Sequence, residues 1–243
     1  MGSNAASSFD LSILHWLNAF VGRSASLDSS IEFLADTELR GAAFLSVYWW
    51  YWFMRTDTAT VTRTREYLLR TLCAGVLAIL AARVLALTLP FRVRPRFEPS
   101  VHFVVPDLAP TNFMGWSSFP SDHAVMFSAL AVGLCFISWR TGLLALLYTA
   151  VVICFPRIYL GIHYPTDVIA GLALGASIGY GMSVLPVCNY LTSRALRWES
   201  TSPGSFYCAL FLVTFEFATM FDSLRAAALR TTRAVSHLVR VVL

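Results

Sequence analysis

Residues 120–188 read PSDHAVMFSALAVGLCFISWRTGLLALLYTAVVICFPRIYLGIHYPTDVIAGLALGASIGYGMSVLPVC. Three apolar runs, about 122–138, 142–158 and 166–188, are divided by a turn at Arg140 and a polar turn around His163. A helix needs about 20 apolar residues to cross a bilayer, so these runs predict three consecutive spans. Upstream, apolar runs over about 67–89 and 39–54 predict two more. Downstream, about 205–221 is a short sixth candidate with Glu216 inside it.

Composition agrees with that reading. The 243 residues are 57% hydrophobic and only 13% charged, with mean hydropathy +0.63. Soluble domains carry roughly 25% charged residues, so most of this surface faces lipid. The fold class is therefore all-α: a polytopic membrane helix bundle of about six transmembrane helices. An amphipathic helix over 9–21 and a short helix over 30–38 precede it. A basic amphipathic helix over 222–243 follows, with Arg225, Arg230, Arg233, His237 and Arg240 on one arc. The chain reads as one membrane-embedded domain, 1–243. Its core covers about 40–190, with interfacial helices at 1–38 and an extra hydrophobic segment and basic helix at 205–243. The N-terminus shows no basic region followed by an apolar run, so the first span is expected to direct insertion.

The net charge is +4, and all 18 basic residues are arginine. Arg55, Arg63, Arg65, Arg70, Arg140, Arg194 and Arg197 fall in loops on one predicted face, around a Thr-rich turn at 56–64 and after the fifth span. By the positive-inside rule that face is cytoplasmic. The charge pattern points to a lipid bilayer as partner and to no nucleic acid. The five cysteines are scattered singly and read as small core residues. Gly171, Gly175 and Gly179 recur every fourth residue and predict close helix packing inside the bundle.

The opposite face collects the chemistry. Phe91-Arg92-Val93-Arg94-Pro95-Arg96 follows the second span. Pro120-Ser121-Asp122-His123 opens the third, with Ser121 as a natural N-cap and the Asp122 backbone N–H at a helix N-terminus, a ready anion site. Arg157 to Asp167 joins the fourth and fifth spans and carries His163, four residues before Asp167. A carboxylate there favours the helix dipole in any case. It could also accept the imidazole N–H, fix the tautomer and leave the other ring nitrogen for attack. Two histidines, a carboxylate and an arginine clamp suit phosphate-ester chemistry without a metal or cofactor.

These three segments resemble the signature of the type 2 phosphatidic acid phosphatase superfamily, whose pattern is K-x6-R-P, then P-S-G-H, then S-R-x5-H-x3-D. The chain offers Arg94-Pro95, Pro120-Ser121-Asp122-His123 and Arg157-x5-His163-x3-Asp167 in that order. The resemblance implies that His163 attacks phosphorus, forming a phosphohistidine, and that Asp167 orients it. It implies that His123 protonates the leaving oxygen and then activates water. Arg94, Arg157, Ser121 and the neighbouring backbone N–H groups would hold the phosphate. Three positions depart from the pattern. The lysine is Leu87, the glycine is Asp122 and the serine is Pro156. Arg83, one helical turn before Leu87, or Arg92 is expected to replace the lysine's charge, and the Asp122 side chain to turn away. The resemblance implies a membrane lipid phosphate as substrate. Undecaprenyl diphosphate is preferred, phosphatidic acid or phosphatidylglycerophosphate is the alternative, and a lipid phosphotransferase or non-catalytic transporter is more distant. The expected location is a bacterial inner membrane, with the site on the periplasmic face. Oligomeric state is not readable.

Overall fold

The computed structural model describes residues 6–36, 38–54, 56–105 and 115–221. The expected basic helix over 222–243 lies outside them. Within them the secondary structure is helical, and the order is α1 (Ser8–Asn18), α2 (Ala25–Asp36), α3 (Leu39–Phe53), α4 (Thr58–Thr88), α5 (Asp122–Cys135), α6 (Trp139–Tyr148), α7 (Phe155–Tyr159), α8 (Pro165–Val184), α9 (Asn189–Thr201) and α10 (Pro203–Ala218). Residues Thr149–Cys154 form a widened π turn, so α6 and α7 are one continuous rod, Trp139–Tyr159. The proline ring of Pro156 would clash with the carbonyl four residues earlier, and a widened turn relieves that clash.

The rods Thr58–Thr88, Trp139–Tyr159 and Pro165–Val184 are long and apolar enough to cross a membrane, and α5 and α10 are shorter apolar helices. The expected polytopic helical bundle is thus present, with three full-length apolar rods and shorter apolar helices packed among them. Two corrections concern segments read as loops. The expected turn at 56–64 is the start of α4, capped by Asp57, whose side chain accepts from Thr60 N. At 31 residues, α4 is roughly 46 Å long, well beyond a hydrocarbon core of about 30 Å. That length lets its first turns, bearing Arg63 and Arg65, extend beyond the apolar layer. The loop expected after the fifth span contains α9, tied to α4 by an Arg65–Glu199 ion pair of 2.6 Å.

The core is α5, wrapped by α4, α6 and α8. Ten of its 14 residues are buried, among them Met126, Phe127 and Leu130. Its closest neighbour is the glycine ridge of α8. A Cβ at Gly175 would lie 1.9 Å from the Val125 carbonyl oxygen, and one at Gly179 would lie 2.4 Å from that of Ala129. The glycine spacing therefore serves packing inside the bundle, as expected. Backbone cannot retreat as a side-chain tip can. Gly175→Val should therefore destabilise the protein by about 1–3 kcal/mol or more, read as a lower thermal midpoint in detergent.

The short helices α1 and α2 pack against α7 and the start of α8, at the end of the bundle that carries the motif residues. Arg65, Arg70 and Glu199 lie at the other end, where Arg70 donates to the Ser183 carbonyl.

Candidate active site

Three helix N-termini meet at the motif-bearing end. Ser121 N donates to the Asp167 carbonyl, joining the starts of α5 and α8. Arg40, in the first turn of α3, reaches His123 in the first turn of α5, with Nη2 3.4 Å from Nε2. Each N-terminus leaves backbone N–H groups without intrahelical acceptors and carries partial positive charge. These three N-termini place partial positive charge around the motif residues.

His163 sits in the turn between α7 and α8. Gly161 has φ +63°, and a Cβ there would lie 2.7 Å from the Phe103 ring, so the turn requires glycine. Ile162 N and His163 N both donate to the Arg157 carbonyl, at 2.9 and 3.2 Å, which locks the two motif residues together. The His163 ring is 4% exposed. Its Nδ1 donates to the Ser118 carbonyl at 2.8 Å, so Nε2 carries the lone pair. That nitrogen faces Arg94 Nη1 at 3.3 Å. Burial is the main cause that pushes the His163 pKa down to about 4, opposed by Asp167 and assisted by Arg94 and Arg157. The ring is thus neutral at neutral pH, with the Nε2 lone pair available.

Asp167 acts differently from the expectation. Its carboxylate is 3.8 Å from His163 Nδ1, beyond hydrogen-bonding reach. Its oxygens accept instead from the Ser118 hydroxyl, from Tyr164 N at 2.8 Å and from Arg92 Nη1. Asp167 thus holds Ser118, and the Ser118 carbonyl holds the imidazole. The carboxylate is engaged by these three nearer donors.

Arg94 donates to the carbonyls of Ile162 at 2.9 Å and Ser117 at 3.4 Å, bracing the first and third motifs against the second. Burial draws its pKa down to about 10, which leaves it cationic at neutral pH. Arg157 Nη2 lies 2.6 Å from His123 Nε2. A guanidinium can only donate, so this histidine nitrogen is the acceptor. Ser121 precedes α5 in an extended conformation, as an N-cap should, but its side chain makes no capping bond. Its Oγ is buried and finds no partner among the described residues.

The two candidates for the missing lysine's charge are engaged elsewhere. Arg83 pairs with Asp122 and stacks on Trp116 at 4.9 Å. The Asp122 carboxylate is thereby answered by a cation. Arg92 pairs with both Asp167 and Asp10, lies 4.0 Å over the Tyr164 ring and donates to Thr166 Oγ1. In this structure both arginines brace carboxylates. Leu87 itself is 85% exposed on the outer side of α4.

Three participants carried no recognisable sequence signal. Ser118 lies beside a motif but outside its pattern. Asp10 of α1 is fully buried and accepts from Arg92, Thr166 N and Thr166 Oγ1, clasping the N-terminal helix to the start of α8. Arg40 could have been flagged only as a charge at the end of a span.

Known proteins resemble this chain in sequence. The profile of the PAP2 superfamily matches residues 71–190. The chain is 30% identical over 169 residues to an undecaprenyl-diphosphatase of Sulfolobus acidocaldarius, covering 66% of this chain and 77% of that protein. It is 27% identical over 154 residues to the Bacillus subtilis undecaprenyl-diphosphatase BcrC, covering 63% and 72%. A crystal structure of a transmembrane PAP2 type phosphatidylglycerolphosphate phosphatase from Bacillus subtilis aligns with TM-score 0.44 and 22% identity, over 74% of this chain and 85% of that one. The chain belongs to the PAP2 superfamily and is an integral-membrane phosphatase.

Proposed function

We propose that this protein hydrolyses undecaprenyl diphosphate, or a closely similar polyprenyl diphosphate, to the monophosphate and inorganic phosphate. The observation that carries the reading is the meeting of the His163 Nε2 lone pair with Arg94, at the membrane-edge end of a helical bundle. His123 and Arg157 lie alongside. The names of the two relatives support the diphosphate as substrate.

In the proposed reaction His163 Nε2 attacks the terminal phosphorus, forming an N–P bond as the P–O bond to the lipid monophosphate breaks. His123 gives its proton to the departing oxygen. It then takes a proton from water, whose oxygen attacks phosphorus and breaks the P–N bond. Inorganic phosphate leaves and both histidines return to their starting states. Arg94, Arg157 and the helix N-termini offset the charge on the phosphoryl oxygens without a metal. An entering phosphate would compete for the Arg157 donors and release His123 Nε2 for protonation. The same phosphohistidine could pass its group to another acceptor, but water is the simplest one for an open membrane-edge site.

We read the whole chain as one domain in a bacterial inner membrane, with the site on the periplasmic side. Arg63, Arg65, Arg70, Arg194 and Arg197 at the other end of the bundle support this orientation. Phosphate release from the purified protein should be compared for undecaprenyl diphosphate, phosphatidic acid and phosphatidylglycerophosphate, each with chelator. The expected result is the highest kcat/KM on the diphosphate, unchanged by chelation. A divalent-ion requirement, or a clear preference for either glycerolipid, would overturn it.

A further inference from the structure

Arg40 lies outside the segment matched by the family profile, in the first turn of α3. Its Nη1 donates to the Leu34 carbonyl at 3.1 Å and to the Ala35 carbonyl, both at the end of α2. Arg157 also donates to the Ala35 carbonyl, at 3.5 Å. The negative end of the α2 dipole therefore holds two guanidiniums side by side. Both are aimed at one atom, His123 Nε2, with Arg157 Nη2 at 2.6 Å and Arg40 Nη2 at 3.4 Å. Two like charges held against one imidazole nitrogen repel each other. An anion at that point would turn the repulsion into a clamp.

The position of this pair relative to the reaction matters. Arg94 stands beside the nucleophile, His163, and Arg40 and Arg157 stand beside His123. On the proposed mechanism His123 faces the leaving oxygen, and in-line displacement puts the leaving group opposite the nucleophile. A monoester such as phosphatidic acid departs as an alcohol, with little charge to be met there. A diphosphate departs as a phosphate, with further anionic oxygens. Arg157 belongs to the family pattern and serves either substrate. Arg40 is the additional cation, and it is partly exposed whereas Arg157 is buried. Ser121 Oγ, buried and unpartnered among the described residues, lies two residues before His123 on the same helix start.

We propose that Arg40 binds the leaving-group phosphate of a diphosphate substrate, making it a specificity-determining residue for diphosphates over phosphate monoesters. It takes over from α3 the charge that the family lysine position, here the lipid-facing Leu87, does not provide. The inference rests on the assignment of His163 as nucleophile and His123 as leaving-group acid.

The test compares binding of pyrophosphate and orthophosphate to the full-length protein in detergent micelles, by titration calorimetry, alongside turnover of undecaprenyl diphosphate and phosphatidic acid. Arg40→Gln should weaken pyrophosphate about 10-fold or more and leave orthophosphate within about twofold, because the lost contact is to the second phosphate. Its kcat/KM should fall about 30-fold or more on the diphosphate and within about threefold on the monoester. Arg40→Lys keeps the charge and a donor for the Ala35 carbonyl, and should stay within about fivefold of the parent for both ligands. Arg40→Met, with a stem of similar length, replaces the glutamine variant if that fails to fold. Equal loss for both ligands would reduce Arg40 to a brace between α2 and α3 and overturn the proposal. Unchanged pyrophosphate binding would overturn it too. His163→Ala run in parallel separates the two layers. Turnover persisting in that variant defeats the mechanism, whereas the pyrophosphate preference reports on Arg40 alone.

Discussion

His163→Ala should abolish phosphate release, by at least about 10⁴-fold, the scale on which removal of a covalent nucleophile acts. The substitution removes the one buried nitrogen whose lone pair faces Arg94 and whose tautomer is set by the Ser118 carbonyl. Folding should survive, since alanine leaves a small cavity beside a turn whose backbone is fixed by the Arg157 carbonyl. The parent, quenched within one turnover with labelled substrate, should show an acid-labile, base-stable phosphoprotein that the variant lacks. The pH profile gives a second check. With its pKa pushed down to about 4, His163 stays neutral as pH falls past the usual imidazole range near 6.5. The activity loss due to His163 protonation should therefore appear only as pH approaches about 4. Between 6.5 and 4 the unfolded chain takes up a proton that folded His163 refuses, so this residue's contribution to stability declines across that window as pH falls. A His163-dependent loss of activity centred at 6.5 would mean that the ring is not buried as described.

His123→Ala should lower kcat by about 10²–10⁴-fold, the usual contribution of a positioned general acid–base group. The loss should depend on the leaving group. A lipid phosphate leaves as a weaker base than a lipid alcohol and needs less protonation, so the defect should be smaller on a diphosphate than on phosphatidic acid. An activated aryl phosphate, whose phenolate needs no proton, should recover most of its rate of phosphoenzyme formation. Uniform loss across all three would assign His123 to binding rather than to proton transfer. Removing His123 also takes away the acceptor shared by Arg40 and Arg157, so a change in KM mixes two effects that single-turnover rates separate.

Much of this molecule is legible in one dimension because its strongest signals are local. An apolar run bounded by proline or arginine specifies a helix in lipid whatever its neighbours do, since backbone polar groups there must be satisfied within the segment. The starts of α5 and α8 follow from Ser121-Asp122 and Pro165 in the same way, through caps and first-turn preferences. The Gly171, Gly175 and Gly179 ridge announced a close helix contact, though not that its partner is α5. The motif residues His123, Arg157, His163 and Asp167 lie within 45 positions of one another and could be picked out by type and spacing. The amphipathic α9 was less visible, because its mixed Arg, Trp and Glu composition resembles a polar loop until it packs against α4.

The direction in which each charge points was not available from the sequence. Arg83, Arg92 and Arg40 are equivalent as residue types near the same membrane edge, and only the packed bundle distinguishes them. At the end of α4 Leu87 stands exposed, while the longer Arg83 side chain one turn earlier reaches Asp122. The fold of α1 back over the bundle delivers Asp10 to Arg92 across 82 positions. The α2–α3 corner presents Arg40 to His123 across 83. Likewise, Asp167 is four residues from His163, yet it works through Ser118, 49 residues away, because the carboxylate bonds to whichever donors packing brings nearest. The sequence by itself determined a helical membrane phosphatase with histidines and arginines gathered at one end. Tertiary structure alone decided which cations lie beside those histidines. Ion pairing and hydrogen bonding act over about 3 Å in space, and the chain places those partners many tens of residues apart.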